Sequence, residues 1–335
     1  MSEFSTVSGV KQRKTPSQDS TSEAIEASDL SKAEKRRLHF YHELEVWQQD
    51  NHYIRSGYVK ATESYKECIK SLTYLHNETV NIYTHLVPSS VAFWAILYYI
   101  NYHLKIYDNY LGIWEKLNFL QFAVACTFCL FMSSTFHCLK SHSHKVCKFG
   151  NQLDYFGIVI LITCSLISIV LFSFYDKPLH KYFFVALFIV LGSICTVMTL
   201  NPKFASPEYR PLRSLMFILF GLSGTLPVLA AIQLFGLKLA FERASINWLL
   251  LEAAFYIGGA VLYAMRIPER FTHKEVDESE EGHSLLTNPT AGTFDIFGHS
   301  HQIFHVMVVI AAFCHWSALV GCYHYLHQKI LPNMN

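Results

Sequence analysis

Residues Tyr155–Tyr175 read YFGIVILITCSLISIVLFSFY, with no Asp, Glu, Lys or Arg among them. As a helix rising 1.5 Å per residue, this stretch covers about 30 Å, the thickness of a bilayer's hydrocarbon core. Six further stretches pass the same length test: Thr79–Asn101, Leu117–Leu139, Tyr182–Asn201, Ser214–Leu237, Ala244–Met265 and Ile296–Gln328. Among all seven the only charged residue is Glu252. Burying seven such helices in a soluble protein would leave almost no polar face for water, so the pattern predicts an all-α bundle of seven transmembrane helices. Pro88 and Pro227 fall inside these stretches and are expected to kink them. Gly221, Gly224, Gly258 and Gly259 are expected to let helices approach closely. The composition agrees: 51% of residues are hydrophobic and 16% charged, against about 25% charged in a soluble domain.

The flanks divide the chain further. Met1 to about Phe40 is polar and rich in Ser, Thr, Lys and Glu, too poor in apolar surface to offset ordering entropy. We expect residues 1–57 to form a disordered cytosolic tail without a cleavable signal peptide. Residues 58–78 are expected to form a juxtamembrane amphipathic segment and 79–328 the seven-helix domain. Lys60, Lys66, Lys70, Lys140, Lys145, Lys148, Lys203, Arg210, Arg213, Arg266, Arg270 and Lys274 flank one side. Lys105, Lys116, Lys177, Lys181, Lys238, Arg243 and Lys329 flank the other, a bias of twelve to seven. That bias predicts a cytosolic N-terminus and, after seven spans, a C-terminus outside. A net charge of +1 gives no electrostatic basis for binding nucleic acid. The nine cysteines are scattered, and the one CxxC, Cys126 and Cys129, falls within a span, where both are expected to pack as small hydrophobes.

Polar residues inside the spans are where chemistry is expected. His301 and His305 are spaced i, i+4 and share a helix face. With 18 histidines in 335 positions, about one such pair arises by chance, so spacing alone does not make a metal site. Depth supplies the support. His137 lies near the cytosolic end of span two, Asp154 near the cytosolic start of span three, and His301 and His305 in the first turns of span seven. Three histidines with an open fourth position suit a catalytic zinc, which activates water near neutral pH. Asp154 is the expected orienting carboxylate. Ser133, one turn from His137 on the same face, is expected to hydrogen-bond the water or a substrate oxygen. Glu78, Asn81 and His85 form an i, i+3, i+7 stripe, which we expect to be a helix-packing seam. Glu252 is expected to be paired or protonated, and His315 to be a structural hydrogen bonder. His142, His144 and the acidic run Asp277–Glu281 are expected to be solvated surface.

The strings HNETVNIYTHL (His76–Leu86), SSTFHC (Ser133–Cys138), NQLDYFGI (Asn151–Ile158) and HQIFH (His301–His305) resemble the progestin and adiponectin receptor family, which includes haemolysin III-like proteins. The resemblance runs from about Tyr74 to the C-terminus and is nearest to the fungal zinc-homeostasis members. It implies a seven-helix bundle with a cytosolic N-terminus and a zinc ion held by His137, His301 and His305, with Asp154 and Ser133 beside it. It further implies a zinc-dependent, ceramidase-like hydrolase of sphingolipid amides in the plasma membrane or an endomembrane, affecting lipid and zinc homeostasis. Asp154 is then the candidate base, and ceramide or another sphingolipid the partner. The alternative that it implies is a receptor or sensor in which zinc is structural and an extracellular ligand acts from outside.

Overall fold

The computed structural model describes residues 38–103, 112–201, 203–204, 206–272 and 292–334. Among them the chain is helical with no strand, and seven helices are long and apolar enough to cross a membrane. They are α1 (Thr79–Tyr102), α2 (Ile113–Leu139), α3 (His144–Ser173), α4 (Pro178–Leu200), α5 (Pro211–Phe235), α6 (Ile246–Phe271) and α7 (Ser300–Asn333). Sequential helices α1 to α4 pack side by side, α5 lies against α3 and α6, and α7 lies against α6, α1 and α3. The outward faces are apolar: Leu179 is 79% exposed, Val197 74%, Trp94 69% and Phe313 62%. Such faces would drive association in water and are stable against lipid tails. Inside, Phe119 packs its ring within 5.5 Å of those of Phe172, Trp316 and Tyr323, tying α2, α3 and α7 together. All nine cysteines are unpaired, and Cys126 and Cys129 are buried among apolar side chains as expected.

Some expectations need correction. Gly224, Gly258 and Gly259 do sit at close approaches, whereas Gly221 has nothing near it. Gly157 against Cys129, and Gly192 against Thr163, provide two further close approaches. The α5 helix is not continuous, because its two pieces meet at Ser223 and Gly224. Pro227 therefore falls in the first turn of the second piece, where its missing N–H would have had no helical partner anyway. That piece ends at Gly236, whose φ of +79° suits glycine.

The ordered chain also begins earlier than the polar composition suggested. From His39 onward the expected disordered tail is instead a strap of short 3₁₀ turns, Tyr41–Glu43 and Val46–Gln48, with Leu44, Ile54 and Tyr58 forming a small core. It is fastened by groups that composition does not reveal. Arg266 donates to the Asp50 carbonyl at 2.6 Å, and Asp295 accepts from Arg55 N at 2.9 Å and Ser56 Oγ at 2.6 Å. The helix within the juxtamembrane segment is short, Tyr65–Lys70, with Tyr65 and Ile69 exposed. The earlier part of the tail and the run Asp277–Glu281 lie outside the described residues.

The strap and the end of α7 lie at opposite ends of the bundle, since His327 approaches Glu115 at the start of α2. With a cytosolic N-terminus, a tag at Ser2 is expected to be protected in intact cells and one after Asn335 to be accessible. Protease or antibody accessibility checks this, and tags on the same side would be incompatible with seven spans.

Candidate metal centre

At the strap end of the bundle α2 contributes His137, and the first turns of α7 contribute His301 and His305. One nitrogen from each ring lies within 4.8 Å of the other two. The three ring centroids are each 4.8 Å apart, and the rings are inclined at 82°, 74° and 72° to one another. This is a propeller of imidazoles around a common point. The hydrogen bonds behind the rings set two of the tautomers. Nδ1 of His137 donates to Glu78 Oε2 at 2.8 Å, leaving Nε2 as a buried lone pair with no partner. Nδ1 of His305 donates to the Asn81 carbonyl at 3.0 Å, so the lone pair of that ring is on Nε2. A ligating histidine is held in this way, with one nitrogen anchored and the other bare. The unpartnered nitrogen, the burial and the all-imidazole donor set fit a transition-metal ion.

The stripe Glu78, Asn81, His85 is therefore more than a packing seam. Glu78 also accepts from Lys140 Nζ at 2.6 Å and Asn81 Nδ2 at 2.6 Å, so its carboxylate is held from three sides. Burial would raise the Glu78 carboxyl, but the Lys140 ammonium, joined by His137, outweighs it and holds the group well below the usual carboxylate range. His85 donates from Nε2 to the His305 carbonyl at 3.2 Å and stacks on the His305 ring at 3.8 Å. The Tyr263 ring on α6, which sequence reasoning missed, lies 4.7 Å from that of His301. Glu78→Gln retains size but replaces one of the two accepting oxygens with an NH2 group, so either Lys140 or the His137 and Asn81 pair faces a donor instead of an acceptor. Such outer partners typically govern about 10–100-fold of metal affinity, so a loss of that size is expected in chelator competition. Unchanged affinity would show that Glu78 does not orient His137.

Asp154, on α3, is buried and lines the same cavity as Ser133, His301 and His305. It adjoins the histidines without joining the group of mutually close donors. His142 and His144 face Tyr65 and Trp47 rather than a donor cluster. Glu252 is paired as expected, its Oε2 lying 2.9 Å from His315 Nδ1. His301, His305, Asp154 and Ser133 open onto a cavity of about 790 Å³ with mainly apolar walls from α3, α5, α6 and α7. That volume is in the range of small-molecule sites. Val46, Trp47 and Asp50 of the strap line it at the histidine end, and Ser173 and Phe174 line it far along α3.

Seven apolar helices enclosing a buried histidine centre define a multi-pass integral membrane protein with a candidate metal site at one end. The chain belongs to the haemolysin-III related family, whose pattern it matches over residues 73–316. It is 42% identical to the ADIPOR-like receptor IZH1 of Eremothecium gossypii, covering 86% of this chain and 85% of that one. It is 38% identical to the ADIPOR-like receptor IZH2 of Saccharomyces cerevisiae, covering 90% of each. It is 35% identical to the adiponectin receptor protein of Drosophila melanogaster, covering 83% of this chain and 58% of that one.

Proposed function

We propose that this protein is a zinc-dependent intramembrane hydrolase of sphingolipid amides, ceramidase-like in its reaction, acting on lipid and zinc homeostasis. The observation that carries this is the opening of the histidine centre, with Asp154 and Ser133 beside it, onto an apolar cavity large enough for a lipid chain. His137, His301 and His305 would hold the zinc. When bound, it would supply Lewis acidity that polarises the amide carbonyl and lets water be deprotonated near neutral pH. Ser133, which lines the cavity with Asp154, hydrogen-bonds the attacking water or a substrate oxygen. Asp154 takes the proton of the attacking water and then delivers it to the leaving amine nitrogen. The cavity holds the acyl chain away from water.

The test is release of sphingoid base by purified protein in a bilayer, with and without chelator. Chelator-sensitive release is expected. Absence of release across a panel of ceramides would favour a second reading, a receptor or sensor with a structural zinc. The names of the fungal and insect relatives, all of which include receptor, support that reading.

A further inference from the structure

Deep in the cavity lies a second polar station unused by the chemistry above. His315 on α7 joins Glu252 on α6, at 2.9 Å from Nδ1, to Ser168 on α3, at 3.0 Å from Nε2. The Ser168 hydroxyl donates its one proton to the Ser165 carbonyl at 2.8 Å, so it accepts from His315 Nε2–H. The remaining proton is shared between His315 Nδ1 and Glu252, and the pair is neutral whichever of the two carries it. Beside this pair are two buried hydroxyls with no partner, Ser165 Oγ and Tyr256 Oη. Ser165, Glu252, Tyr256 and His315 all line the cavity. In a membrane interior no bulk water is at hand to satisfy such groups.

The distance from the metal centre is consistent across three helices. Ser165 is eleven residues beyond Asp154 on α3, Glu252 eleven from Tyr263 on α6, and His315 ten beyond His305 on α7. At 1.5 Å per residue the separation is about 15 Å. An extended chain advances roughly 1.2 Å per bond, so about a dozen bonds span it.

We propose that Ser165, Tyr256 and the Glu252–His315 pair form a subsite for a neutral hydroxyl in the middle of a lipid chain whose carbonyl end lies at the histidine centre. This rests on the cavity's being the lipid site proposed above. A hydroxyl both donates and accepts, matching the unpartnered hydroxyls and the carboxylate. The neutral pair offers no net charge to a second carboxylate.

The test uses purified protein in nanodiscs and displacement of a fluorescent fatty acid, so its readout does not depend on turnover. The competitors are stearate and hydroxystearates bearing the hydroxyl near the carboxyl, mid-chain or near the methyl end. The mid-chain isomer is expected to bind about tenfold more tightly than stearate, the size of one satisfied neutral hydrogen bond. Tyr256→Phe and Ser165→Ala should each reduce that preference without changing stearate affinity. Equal binding of all isomers, a preference for another position, or a preference that survives both substitutions would overturn the subsite while leaving the lipid cavity intact. Failure of every chain to bind would overturn both. Loss of amide hydrolysis with the mid-chain preference retained would count against the hydrolase alone.

Discussion

Replacing His137 with alanine is expected to abolish stable metal retention, and His301→Ala and His305→Ala are expected to do the same. Each variant leaves two imidazoles where three converge. The loss should exceed the roughly 10–100-fold attributed to an outer partner such as Glu78. His137→Ala also deprives the buried Glu78 of one of its three partners. Stability should follow. A protein in zinc at 100 times its Kd gains about 2.7 kcal/mol from binding, and a variant that cannot bind gains none. Its melting temperature should therefore no longer rise when zinc is added. His315→Ala is the informative control. It breaks a buried pair with Glu252, a change that can cost about 3–5 kcal/mol, yet lies about 15 Å along α7 from His305. It should melt earlier but retain zinc. Elemental analysis and thermal unfolding of the purified variants measure both quantities. Full zinc occupancy in the three histidine variants would remove the metal assignment.

The histidine centre was legible because hydropathy fixes where each helix begins and ends, and those ends place residues at a common depth. His137, Asp154, His301 and His305 are far apart in sequence, and the alternation of the spans brings them to one level. The same reasoning applied to α1 would have placed Glu78 and Asn81 beside them, but their short polar spacing matches a packing seam equally well. What separates the two is where Nδ1 of His137 and of His305 points, which spacing does not encode. The strap was missed for a different reason. Its order depends on Arg266, Asp295 and the loops around α6 and α7, partners more than two hundred residues away. Local composition measures only what a segment can bury by itself. The break in α5 was masked by hydropathy, which remains high through Ser223 and Gly224 and carries no record of backbone continuity. The second polar station was visible only as separate residues. Glu252 and His315 were expected to be satisfied polar groups, while Ser165 and Tyr256 gave no signal until the structure showed both lining one cavity.

Asp154→Asn is expected to lower amide hydrolysis by about 10²–10⁴-fold, the usual worth of a general base, while most zinc is retained. The substitution preserves shape and hydrogen-bonding capacity, but an amide cannot take up the water's proton or return it to the leaving nitrogen. Zinc should persist because Asp154 lies outside the group of three close donors. Ser133→Ala removes only a hydroxyl placed to orient the water or a substrate oxygen. Its loss should be smaller, since Asp154 keeps its burial and its proximity to His137. The two variants therefore rank proton transfer above orientation. The measurement is single-turnover ceramide hydrolysis in a bilayer by zinc-loaded wild type, Asp154→Asn and Ser133→Ala, with metal content determined on the same samples. Equal rates in wild type and Asp154→Asn would reject Asp154 as the base. A rate that falls only in proportion to lost zinc would make Asp154 a support for the metal rather than a participant in proton transfer. If metal content is intact and the rate is lost, the carboxylate is required for the chemistry itself.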